Sequence, residues 1–138
     1  MKRVVVWLMA AVLCAALTSC ATTPSKPSEN VGPEISNLRF EPTDKPTHGE
    51  MIYVVFDCDD RGHDLELLYR QWKSPDRDFD FRQVSKFSKM SPPNLIREGK
   101  TIKFRAVFNM PMTVFVTVWV KDAAGDTSNK LEGVIRAQ

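Results

Sequence analysis

Thr113-Val114-Phe115-Val116-Thr117-Val118-Trp119-Val120-Lys121 sets a valine at every second position from 114 to 120. A period of two puts those valines on one face of an extended chain, and β-branched side chains favour strand over helix. The run just before it repeats the pattern. Ile102, Phe104, Ala106 and Phe108 alternate with Thr101, Lys103, Arg105 and Val107. Both runs predict strands with one buried face, joined by a tight connection at Asn109-Met110-Pro111.

Similar short runs fill the rest of the chain from Pro33. Ile35 to Phe40, Glu50 to Cys58, Asp64 to Trp72 and Leu131 to Ala137 read as strands. Phe79 to Phe87 is a weaker one, and Leu95-Ile96 marks a minor segment. Turn-forming residues separate them at Pro42 to Gly49, Asp59-Asp60-Arg61-Gly62, Met90 to Gly99 and Asp122 to Asp126. No helical stripe appears. About seven short strands in 106 residues, Pro33 to Gln138, predict one all-β domain built as a two-sheet sandwich.

The N-terminal part has another character. Lys2 and Arg3 precede an almost wholly apolar stretch, Val4 to Leu17. At about 14 residues it is short for spanning ~30 Å of hydrocarbon but suits the apolar region of a signal peptide. It ends in Leu17-Thr18-Ser19-Cys20. This arrangement resembles the lipobox of bacterial lipoproteins. The resemblance implies a signal peptide over residues 1–19, removed before Cys20, and lipidation of Cys20. Ala21 and Thr22 follow, with no aspartate of the kind that marks inner-membrane retention. The resemblance therefore implies the outer membrane, facing the periplasm, with the cell surface or the inner membrane as alternatives. Residues 20–32 are rich in Pro, Ser and Thr and read as a disordered tether, up to ~40 Å long if extended.

Processing would change the charge balance. The whole chain carries 19 basic and 17 acidic side chains, and loss of Lys2 and Arg3 leaves 17 of each. A neutral exported domain has no overall field to attract nucleic acid. Of the three cysteines, Cys14 leaves with the signal and Cys20 takes the lipid, so Cys58 stands alone without an internal disulfide. Its place at the end of an apolar run predicts a buried, inert thiol.

Three stretches carry a family likeness: Pro33-Glu34-Ile35, the Pro42 to Gly49 connection, and Val118-Trp119-Val120-Lys121-Asp122-Ala123-Ala124-Gly125-Asp126-Thr127-Ser128-Asn129. They resemble immunoglobulin-like and fibronectin-type-III-like modules of bacterial envelope proteins, including cadherin-like ones. Asp126 stands where those modules often have asparagine. The resemblance implies an immunoglobulin-like sandwich over residues 33–138. It specifies a fold rather than an activity.

Candidate sites lie in two places. Asp57, Asp59, Asp60 and Asp64 bracket one loop, and Asp122, Asp126 and Asn129 bracket another. In an immunoglobulin-like sandwich those loops share an end, where the first strand also starts. Their oxygens suit Ca²⁺, although the same residues also make ordinary side-chain-capped turns. His48 and His63 fall at opposite ends and read as exposed turn residues. The second place is Tyr69, Trp72, Phe79 and Phe81, set among Arg70, Arg77, Arg82 and Lys86. One reading buries the aromatics on an edge strand with the charges outside. The other is a face for a protein or glycan partner.

No nucleophile elbow, phosphate-binding loop or paired-cysteine metal motif is present in the sequence. The expectation is a non-enzymatic, lipid-anchored envelope protein that binds a protein or cell-wall partner or serves as a structural module, without nucleic acid or a tight cofactor. The alternatives are a calcium-stabilised adhesion module and, behind it, a loop-borne hydrolytic or metal-dependent enzyme.

Overall fold

The computed structural model describes residues 32–138. The expected signal peptide at 1–19, Cys20 and the tether up to residue 31 lie outside the described residues. Eight strands follow in order: β1 Glu34–Glu41, β2 Met51–Asp59, β3 Leu65–Ser74, β4 Phe79–Lys86, β5 Leu95–Glu98, β6 Thr101–Val107, β7 Met112–Asp122 and β8 Leu131–Ala137. One antiparallel sheet runs β1-β2-β6-β5 and the other β4-β3-β7-β8. The two pack face to face as a β-sandwich. The minor segment at Leu95-Ile96 is a true strand, which raises the expected seven to eight. Among the described residues no helix is long and apolar enough to cross a membrane.

The alternation that predicted the strands also sets the core. Val114, Val116, Val118 and Val120 of β7 are fully buried. They face Ile52, Val54 and Phe56 of β2 and Ile102 and Phe104 of β6, all equally buried, across the space between the sheets. Each fully buried aliphatic or aromatic side chain contributes about 1.5–3 kcal/mol, so this layer supplies most of the driving force.

The two sides of the sandwich differ. On one side β1 closes against β8. Gly133 makes this approach: a Cβ there would stand 2.7 Å from the end of the Phe40 ring and 3.0 Å from Leu38. Two backbone bonds continue the seam, Arg136 N–H to Asp44 C=O and Gln138 N–H to Pro46 C=O, each 2.8 Å. On the other side the eight-residue β4 lies opposite β5, which has only four residues. Part of the inward face of β4 is therefore left uncovered.

One polar side chain fastens the entry of the chain. Asn129 Oδ1 accepts from Ile35 N–H at 2.8 Å, and its Nδ2 donates to Ile35 C=O at 2.8 Å. Ser128 Oγ beside it accepts from Val120 N–H at 3.0 Å. Replacing Asn129 with Ala strands both Ile35 groups in a part-buried setting. The expected cost is about 1–3 kcal/mol. At about 4–8 °C per kcal/mol for a domain of this size, thermal unfolding should start visibly lower. An unchanged melting curve would show that the latch contributes nothing.

Candidate functional site

The acidic loops come together at one end, as expected. Ala123 N–H donates to Asp64 C=O at 3.0 Å, joining the β2–β3 and β7–β8 connections. Strand β1 starts at the same end, with Glu34 paired to Asp59, and a Cβ on Gly32 would lie 2.9 Å from Asp126 Cβ.

The acidic side chains nevertheless point to separate partners. Asp57 faces out from the β1-β2-β6-β5 sheet. Its carboxylate accepts from Asn37 Nδ2 at 2.9 Å and Thr101 Oγ1 at 3.0 Å, and Arg39 lies 3.5 Å away. These hydrogen bonds, Asn37 first, hold its carboxyl below the usual aspartate range. Asp59 pairs with Lys100 at 3.2 Å on the surface. Asp122 is buried, and its Oδ1 accepts from Asp126 N–H at 2.8 Å, an ordinary turn cap. Asn129 is engaged at Ile35 through both ends of its amide. Asp60 is buried with Oδ2 lacking a partner among the described residues. Among the described residues no three His, Cys, Asp or Glu side chains converge as a metal site.

Cys58 is buried beside Asp60 and is a free thiol. Burial first, then the Asp60 charge, pushes its pKa up to about 11. A thiol that holds its proton so tightly is a poor nucleophile at neutral pH. His63 is exposed in the same loop, with a left-handed φ of 53°, and His48 is exposed at the far end of β2.

The aromatic segment divides between the two faces of its sheet. Tyr69 points outward and stacks on Trp119 with ring centroids 5.1 Å apart and planes 7° from parallel. Arg82 caps both rings, at 5.6 and 5.0 Å, and Lys130 lies 4.7 Å from the Trp119 ring. Trp72, on the inward face, is 9% exposed and meets Phe104 edge-on at 6.0 Å and Phe108 at 6.1 Å.

Phe79 and Phe81 also point inward, since they pair directly with Ser74 and Trp72. They are the inward residues that no opposite strand covers. Phe79 is 39% exposed and Phe81 49% exposed, with ring centroids 6.4 Å apart. The expected burial of these aromatics therefore fails at β4, because β5 stops short of them. The result is a groove of about 570 Å³ between β4 and the β6–β7 connection. Its apolar lining includes Trp72, Phe79, Phe81, Phe108, Met110 and Met112.

A second cavity continues along β4 beyond Gln83, which borders both. It has the opposite chemistry. Arg70, Ser85, Lys89, Ser91, Asn94 and Arg105 surround it. Arg70 is 6% exposed, and among the described residues it is the one buried basic side chain. The sequence alone placed Arg70 among surface charges. The signal was present in its spacing, since Leu68, Arg70, Trp72 and Ser74 share the inward parity of β3 and all are buried.

No family model matches the chain, and no curated protein matches it. Among solved structures it is similar to a single-site variant of a superoxide reductase (neelaredoxin) from Ignicoccus hospitalis. That likeness has 10% identity, covers 76% of this chain and 82% of the other, and has a TM-score of 0.47. A likeness this distant says nothing about activity.

Proposed function

We propose that the chain is a non-enzymatic, lipid-anchored envelope module with an immunoglobulin-like fold, which docks a protein or cell-wall partner in the groove along β4. The observation that carries this reading is the pair Phe79 and Phe81, inward-facing yet 39% and 49% exposed at an open edge. Aromatic side chains at such an edge supply large contact area with few rotatable bonds, as binding hot spots do. Both strand orders support the immunoglobulin-like part. β1-β2-β6-β5 corresponds to an A-B-E-D sheet, and β4-β3-β7-β8 to a G-F-C sheet extended by one strand. The lipid anchor rests on the sequence Leu17-Thr18-Ser19-Cys20 alone.

A photo-crosslinking side chain tests the docking face in intact cells. Placed at Phe81, it should capture a discrete envelope component. Placed at Val84, equally exposed at 49% but on the opposite face of β4, it should not. The double substitution of Phe79 and Phe81 by Ser should change stability by less than about 1 kcal/mol, because neither side chain is buried. It should also abolish binding of the captured component. Equal capture from both positions, or from neither, would remove the groove from consideration.

A further inference from the structure

We propose that the cavity beside Gln83 binds a doubly charged phosphate group. This inference goes beyond the docking groove, because Phe79 and Phe81 do not line the cavity. The walls come from four elements. β3 contributes Arg70, β4 contributes Ser85, β6 contributes Arg105, and the β4–β5 connection contributes Lys89 and Asn94.

The connection is held in shape by its own backbone. Met90 N–H donates to Phe87 C=O at 3.2 Å, and Asn94 N–H to Ser91 C=O at 2.9 Å. Arg105 N–H donates to Asn94 C=O at 3.2 Å, tying the connection to β6. The cavity measures about 360 Å³. At about 30 Å³ per water, that is room for a phosphate group with water around it.

The charge is one-sided. Arg70, Lys89 and Arg105 border the cavity and no carboxylate does. Among the described residues no carboxylate lies within ion-pair distance of any of the three. Arg70 is the telling one. Its Nη2 donates to Ser85 Oγ, and its guanidinium lies 5.3 Å from the centre of the Phe104 ring. Neither neighbour carries a charge, and Nε–H has no acceptor among the described residues.

A buried cation without a counter-charge is costly, and proteins ordinarily pair it. Burial pushes the Arg70 pKa down, although a guanidinium keeps its proton in proteins. An anion in the adjoining cavity offsets that charge through the field, without needing to reach Nε. Three cations far exceed the charge of a single carboxylate and are enough to neutralise the charge of about −1.5 to −2 on a phosphate monoester. Ser85, having accepted from Arg70, keeps its hydroxyl proton free to donate, and Asn94 and Gln83 add amide donors.

The test uses the full chain, purified in non-ionic detergent at low ionic strength, because added salt screens such a site. Inorganic phosphate should saturate the protein in calorimetry and raise its melting temperature. Acetate at matched ionic strength should do neither. The double variant K89Q/R105Q alters two exposed residues and should weaken phosphate binding about tenfold for each charge-assisted hydrogen bond removed. R70M should abolish the phosphate-dependent rise in melting temperature, and its ligand-free stability should equal or exceed that of the parent. If R70M fails to fold, the surface double variant decides.

Tighter binding of glycerol 3-phosphate than of inorganic phosphate assigns the site to a phosphoryl group borne by a larger molecule. Equal affinity assigns it to the free ion, and either supports the proposal. No saturation by phosphate, an equal response to acetate, or unchanged affinity in K89Q/R105Q overturns it. The Phe79/Phe81 double serine variant should bind phosphate normally, so failure of the docking groove and failure of this site are separate outcomes.

Discussion

Phe104→Ala is expected to lower the stability of the domain by about 3–5 kcal/mol. The Phe104 side chain is fully buried on β6. Phe56 meets its ring edge-on at 6.5 Å and Trp72 at 6.0 Å, and the Arg70 guanidinium lies 5.3 Å from its centre. Truncation opens a cavity between the sheets and removes the aromatic partner of a buried charge. The rest of the core is held by backbone ladders on both sides and can collapse only in part. A domain of ordinary stability, about 5–15 kcal/mol, would lose a large share of it. Urea unfolding should show a much lower midpoint with an unchanged slope. Phe115→Ala on the outer face of β7, 45% exposed, is the matched control and should cost less than about 1 kcal/mol. Equal losses at the two positions would contradict the placement of the core.

Cys20→Ser is expected to release the protein from the membrane fraction. The lipoprotein reading gives Cys20 two or three acyl chains. Each buried CH₂ contributes about 0.8 kcal/mol, and one chain alone anchors only marginally. Loss of the thiol removes every chain at once, so the shift should be nearly complete. Cell fractionation measures it directly: the parent should pellet with membranes even at high salt, and the variant should stay in the soluble fraction. A variant that pellets like the parent would end the lipoprotein reading. The outcome is independent of Phe104, since the anchor acts on location and the ring acts on folding.

Much of the fold was legible because alternation is a local property. Thr113 to Lys121 and Thr101 to Phe108 became β7 and β6 with their predicted faces buried, and boundaries elsewhere moved by only a residue or two. The burial of Cys58 was legible for the same reason, whereas the meeting of the acidic loops was an expectation from the immunoglobulin-like resemblance. What the acidic side chains do there was not. Asn129 serves the backbone of Ile35, 94 residues away in sequence, and no local pattern announces that bond. Leu95-Ile96 was too short to weigh as a strand by itself, and pairing with β6 makes it one.

From Pro33 onward the order of neighbouring residues sets an all-β chain with one inward face per strand, and before it a basic, apolar stretch ending at Cys20. Those properties depend on the order of neighbouring residues, and a period of two records them. Which inward faces are covered depends on how the two sheets meet. Phe81 and Arg70 both have inward parity, yet one is half exposed and the other is buried without a counter-charge. The difference lies in the opposite sheet: β5 ends after four residues, and the Phe87–Asn94 connection crosses beside Arg70. Burial depends on what stands across the sandwich, and the sequence of a strand does not contain its neighbour.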